Sequence, residues 1–117
     1  MNAPPLVGYG LLAAVLVFYG YRWIRVLRVR LRLPALRQEG ATIVDVRTAA
    51  EFAAGHAGGT RNIPLDELVA RSGELDPERW VVLCCASGTR SAMAARLLRG
   101  RGFRKVANAG SWRNVAA

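Results

Sequence analysis

The chain is poor in histidine, in cysteine and, around its most basic stretch, in acid. One histidine (His56) and two adjacent cysteines (Cys84, Cys85) in 117 residues leave no spacing that suits a metal ion, so neither a metal nor a cofactor is expected. Two neighbouring cysteines make no disulfide framework, and a reducing compartment fits them better than an oxidising one. Residues 22 to 37 hold six arginines (22, 25, 28, 30, 32 and 37) and no acid. Residues 38 to 117 hold eleven basic and eight acidic groups, a charge of +3 within a total of +9. The positive excess therefore belongs mostly to one short segment, which argues against nucleic acid as the partner of the chain. There is no internal repeat and no low-complexity tract, and the length suits one modest domain with an appendage.

The appendage comes first. Leu6 to Ile24 is apolar apart from Arg22, and as a helix these 19 residues span roughly 28 Å, close to the hydrocarbon thickness of a bilayer. Tyr19, Tyr21 and Trp23 at its far end suit a membrane–water interface, where Arg22 and Arg25 can snorkel. A cleaved signal peptide is disfavoured, because residues 1 to 5 contain no Lys or Arg and no Ala-x-Ala site closes the apolar run. The segment is therefore read as a single-pass transmembrane anchor. From Tyr21 to Leu33 the pattern continues at helical pitch. Arg25, Arg28 and Arg32 share one face and Trp23, Leu27 and Leu31 another, as in a helix leaving the bilayer through anionic headgroups. The positive-inside rule puts the N-terminus outside and everything after the arginines in the cytoplasm. Leu33-Pro34 is the expected boundary, with anchor and basic extension over 1–33 and a folded domain over 34–117.

Within that domain Pro34 to Gln38 is expected to form one helical turn, ended by Gly40. Thr42 to Val46 reads as a strand, and Thr48 with Glu51 has capping-box spacing for a short helix stopping near Gly55. Asp45 and Arg47 fall at the strand's C-terminal end, where open α/β sheets hold ligands. Equally, they can pair and hold the loop. His56, among glycines, reads as structural rather than as a general base. A helix over Leu65 to Ser72, an edge strand over Phe103 to Ala107 and a last turn from Ala109 complete the pattern. Strands alternating with helices predict an α/β fold, a mostly parallel sheet with helices on both faces.

Val81 to Ser91 carries the chemistry. A β-branched strand runs into a short loop opened by cysteine and closed by Arg90. A helix follows, with Ser91 at its expected N-cap and Met93, Leu97 and Leu98 at helical spacing. Loop amides and the first helical N–H groups point the same way, which makes a small anion cradle. A cysteine at its mouth has a lowered pKa and acts as a nucleophilic thiolate. Arg90 adds a fixed charge able to hold an oxyanion. The plainer alternative is two cysteines serving as small buried hydrophobes. Gly88 and Arg90, a residue costly to bury without an anionic partner, favour chemistry.

These residues, in order, resemble a family. Asp45-Val46-Arg47, Glu51-Phe52, Gly55-His56, Gly59, Asn62-Ile63-Pro64, Cys85 to Ser91 and Gly110-Ser111-Trp112 look like the successive signatures of a rhodanese-like (thiosulfate sulfurtransferase-like) domain, over residues 34 to 117. The resemblance implies that Cys85 is the nucleophile, accepting a sulfane sulfur as a persulfide and passing it to a thiophilic acceptor. It also implies that Ala86, Ser87, Gly88, Thr89 and Arg90 cradle the persulfide and the donor's anionic group, with Asp45, Arg47 and Ser91 supporting. The implied partners are a small sulfur donor such as thiosulfate or a protein persulfide, a thiol or cyanide acceptor, and the lipid bilayer. Three positions depart from the pattern: Cys84 where an aromatic or aliphatic residue is usual, Ala86 where a larger polar or basic one is common, and Ala109-Gly110 for paired glycines. Ala86 implies weaker binding of anionic donors, and the early stop implies a short final helix.

The leading expectation is a membrane-anchored sulfurtransferase. A phosphatase or arsenate reductase is the second, since Cys84-x5-Arg90 has phosphatase spacing where Cys85-x4-Arg90 is sized for sulfur. It ranks lower because the strand pattern continues through Cys84. A tethered sulfur-relay or interaction module of low turnover is the third.

Overall fold

A computed structural model describes residues 6–116. Four strands, Thr42–Asp45 (β1), Arg61–Asn62 (β2), Val81–Cys85 (β3) and Val106–Ser111 (β4), pair in parallel in the order β2-β1-β3-β4. Parallel neighbours need crossovers. Helix α2 (Ala49–Ala54) lies between β1 and β2 in the chain, and α3 (Thr89–Gly100) joins β3 to β4, while the long α1 (Leu6–Gln38) precedes the sheet. The expected α/β fold is what forms.

The two-residue period of a strand divides the core. Val81, Leu83 and Cys85 of β3 pack with Ala94, Ala95 and Leu98 of α3. Val82 and Cys84 point the other way, into a second cluster with Leu33 and Leu36 of α1. Both faces are covered, which is why β3 is apolar along its whole length.

Several local expectations change. No break occurs at Leu33-Pro34: α1 runs through Pro34, and Leu33 and Leu36 are 5% and 2% exposed. Burying two leucines contributes about 3–6 kcal/mol, enough to offset the ~3 kcal/mol of an internal proline. Leu65 to Ser72 forms not a helix but a 3₁₀ turn at Leu65–Glu67, with a second at Ser72–Glu74. Each begins without a side-chain cap, and Leu68, fully buried, fixes the segment. The last strand starts three residues later than predicted and runs through Asn108-Ala109-Gly110. A register shift against β3 between Leu83 and Cys84 makes a bulge there. Phe103 instead tucks into the core, and the chain closes with a 3₁₀ turn at Trp112–Val115.

The N-terminal part of α1 stands clear of the domain, giving extents of 60 × 30 × 28 Å. It is long and apolar enough to cross a membrane, and none of that apolar window is buried in the domain.

Candidate active site

β3 delivers Cys85 at its C-terminal end, and the backbone turns at once into α3. The turn depends on Gly88, the residue before the helix, whose φ of 101° lies in the left-handed region. A Cβ there would stand 3.2 Å from the Cα of Gly110, so loop and β4 approach too closely for a side chain. Helix α3 therefore begins at Thr89, and Ser91, the expected N-cap, is instead its third residue. This displacement matters. At that position both the N–H and the hydroxyl of Ser91 lie 3.4 Å from Cys85 Sγ.

The Gly88 N–H donates to the same sulfur at 2.9 Å. Burial pushes the Cys85 thiol up, but the hydrogen bonds from the Ser91 hydroxyl and the Ser91, Gly88 and Ser87 N–H groups together hold it below its ordinary value of 9.0. Cys84, on the opposite face of the strand, is pushed up to about 12 by burial, with Asp45 and Cys85 adding to the shift. One peptide bond separates a thiol whose ionisation the loop favours from one whose ionisation burial opposes.

Asn108 escaped the sequence reading. Its Oδ1 accepts from Ser91 Oγ at 2.6 Å and from the Gly110 N–H at 2.9 Å, and its Nδ2 donates to the Gly88 carbonyl at 3.1 Å. It therefore fixes the loop glycine and the serine together. The bulge in β4 sets where Asn108 stands, and the local hint of it is Gly110, a glycine inside the strand with a φ of 77°. Ser91 has one hydroxyl proton. While that proton goes to Asn108, Ser91 can only accept from a protonated Cys85; stabilising the thiolate requires the hydroxyl to turn towards sulfur.

Arg90 does not stand open. Its Nη1 and Nη2 donate to Glu51 Oε1 and Oε2 at 2.7 and 3.0 Å, and both side chains are about one-third exposed, at 35% and 37%. Glu51 also closes the expected capping box, accepting from the N–H and hydroxyl of Thr48. The Arg90 hydrogen bonds, with the Thr48 N–H next, hold its carboxyl at about 2, so the pair is fully ionised near neutral pH. The pairing with Arg90 is a further contact the sequence reading did not anticipate.

Asp45 and Arg47 form a buried pair. Arg47 Nε and Nη2 reach both Asp45 oxygens at 2.8–3.0 Å, and Nη2 also donates to the Gly55 carbonyl at 2.7 Å. The guanidinium lies 4.6 Å from the centre of the Trp112 ring. This knot ties α2, and with it Glu51, to the end of β1. Of the two readings left open, mutual pairing describes the geometry. His56 stacks on Phe52 at 3.7 Å, and its Nδ1 bonds the Phe52 carbonyl at 2.8 Å, which fits a structural part. Among the described residues no cluster of His, Cys, Asp or Glu could hold a metal ion.

Comparison with known proteins gives the same answer from several directions. The Rhodanese-like domain profile matches residues 32–117. The chain is 42% identical over 72 residues to the thiosulfate sulfurtransferase GlpE of Pseudomonas putida, covering 60% of this chain and 64% of that protein. It is 41% identical over 70 residues to the putative sulfur carrier protein YrkF of Bacillus subtilis, covering 60% and 38%. It thus spans less than two thirds of either relative. The human single-domain sulfurtransferase TSTD1 superposes with a TM-score of 0.63 at 30% identity, over 71% of this chain and 88% of that one. An Escherichia coli rhodanese solved with anions superposes with a TM-score of 0.60 at 31% identity, over 65% and 92%. With the domain profile matched over most of its length and the parallel sheet shared with solved structures, the chain belongs to the rhodanese-like domain family.

Proposed function

We propose that the chain is a sulfurtransferase working through a persulfide on Cys85. The Cys85 thiolate attacks the outer sulfur of a donor such as thiosulfate or a protein persulfide. The new S–S bond forms as the old one breaks, and sulfite or a thiolate leaves with the bonding pair. A thiol or cyanide then takes the terminal sulfur and returns Cys85 as thiolate, with no net change in oxidation. The loop from Ala86 to Arg90 surrounds the persulfide, with Ser91 supporting it and Asp45 and Arg47 holding the neighbouring loop. The observation that carries this reading is the set of N–H groups converging on one sulfur whose pKa is lowered despite burial. The phosphatase alternative needs Cys84 as nucleophile, and Cys84 lies across the strand with its thiol pushed up to about 12.

Intact-mass analysis after thiosulfate treatment tests it. One added sulfur is expected, retained in Cys84→Ser and absent in Cys85→Ser; loss in the Cys84 variant alone would reverse the assignment. A relay role with little turnover on small donors is the second reading. It is favoured by a Cys85 only 1% exposed, and loading by a persulfidated protein but not by thiosulfate would select it. The same proposal includes a single-pass anchor over residues 1–33, with the domain over 34–117 in the cytoplasm, supported by the unburied apolar helix and its arginines.

A further inference from the structure

The family resemblance supplies an arginine for the donor's negative charge, and in this chain that arginine is taken. Both outer nitrogens of Arg90 are bonded to Glu51, so an entering anion meets a neutralised pair. A different arginine stands beside the loop. Between α1 and the loop lies an open cleft of about 630 Å³, lined by Arg22 and Trp23 on one side and Ser87, Gly88 and Thr89 on the other. No acid lines it. Arg22 is half-buried and forms no ion pair among the described residues; its guanidinium carbon lies 5.8 Å from the centre of the Phe18 ring. Arg22 Nη2 lies 3.9 Å from the point a Cβ on Gly88 would occupy. The N–H of that same glycine donates to Cys85 Sγ. One residue of backbone is therefore flanked by the sulfur and by an uncompensated guanidinium.

We propose that Arg22, brought over the loop by α1, binds the anionic group of the sulfur donor and selects donors that carry a negative oxyanion next to the transferred sulfur. The inference rests on the persulfide reading of Cys85. When the thiolate attacks the outer sulfur of thiosulfate, the S–S bond breaks and sulfite departs with the electron pair. Cys85 does not itself line the cleft and lies behind Gly88. The donor therefore reaches across the rim of the loop, its outer sulfur at Cys85 and the departing sulfite's charge on the Arg22 side, where the start of α3 adds partial positive charge. Arginine suits the task because its planar fork matches an oxyanion. The helix that this chain carries ahead of its domain is then a wall of the substrate site.

The test uses the full chain in a neutral, phosphate-free detergent. Calorimetric titration of thiosulfate into Cys85→Ser measures binding without turnover, and steady-state thiosulfate:cyanide transfer measures KM and kcat. Arg22→Gln is expected to weaken binding and raise KM about tenfold, the loss of one charge-assisted contact, with kcat within about threefold. Arg22→Lys should recover part of both. Arg25→Gln removes the same charge from the neighbouring turn without lining the cleft, and should leave both constants within about twofold. Equal effects of Arg22→Gln and Arg25→Gln, or none from either, would overturn the proposal. If Arg22→Gln proves unstable, Arg22→Lys decides it, since constants unchanged from wild type in both salt-free and high-salt buffer would exclude a contact to the fork. A chain that gains sulfur at Cys85 with Arg22-independent KM refutes the anion site and keeps the transferase. A chain that binds thiosulfate through Arg22 yet never gains sulfur does the reverse.

Discussion

At the scale of the residue, the site turns on which atoms surround one sulfur. Cys84 and Cys85 have the same chemistry and adjacent positions, and the strand's alternation alone gives them opposite environments. The thiol of Cys85 is pulled below its ordinary 9.0 by donors that exist only in the folded loop. Because the folded pKa is the lower one, the thiolate's contribution to stability is present above pH 9 and is lost as pH falls through the lowered value. Reactivity follows the same limb. Ser91→Ala removes the hydroxyl while keeping the N–H donors, so alkylation by iodoacetamide near pH 7 should slow on the order of tenfold. Its pH midpoint should move towards the ordinary thiol value, with the circular dichroism unchanged. A profile identical to wild type would show the hydroxyl bound to Asn108 in both protonation states.

At the scale of the element, α1 does two jobs along one continuous rod. Its first turns face away from the domain, while Val29, Leu33 and Leu36 pack under the sheet and Val26 rests against Gly110. Gly110 has a φ of 77°, and a Cβ there would stand 3.1 Å from Val26, so the helix lies on bare backbone. Arg37 further donates to the Val115 carbonyl, fastening the helix to the closing turn. A chain shortened to begin at Pro34 loses Val29 and Leu33, whereas one beginning at Val26 keeps both. Urea unfolding should show the shorter chain less stable by about 2 kcal/mol, the worth of one buried leucine. Equal midpoints would show that Val29 and Leu33 add nothing to the stability of the domain over 34–117.

At the scale of the whole molecule, α1 and the cysteine loop face each other across one cleft. The cleft beside the loop is lined by Tyr19, Arg22 and Trp23, the residues that suit the headgroup level of a bilayer. On the proposed topology the loop therefore works against the cytoplasmic membrane surface. Cys85 is enclosed enough to react more slowly with a bulky maleimide than with iodoacetamide, so an exposed position is the better reporter. Arg101, on the surface after α3, becomes one in Arg101→Cys with Cys84 and Cys85 replaced by serine. A membrane-impermeant maleimide should leave intact cells unlabelled and react once the membrane is broken. Labelling of intact cells, with a cytoplasmic control protein untouched, would put the domain outside.

Much of this molecule is written locally. The apolar run of α1, the capping box of Thr48 and Glu51, the buried strand and the cysteine loop that follows it are each set by neighbours within a few residues, where periodicity, hydrogen-bonding side chains and turn propensity act. The order of those segments was enough to read the parallel α/β fold. Other features depended on partners far away in the chain. Pro34 stays inside a helix because the sheet buries Leu33 and Leu36, and β4 runs through the weak strand formers Asn108 to Gly110 because β3 pairs with them. Arg90 is held by Glu51 because the Asp45–Arg47 knot places α2 beside the loop. Arg22, on a helix read as an anchor, lies beside the cysteine loop only because the later turns of that helix pack along the sheet. Each of these contacts spans many residues of sequence, and packing rather than propensity fixed them.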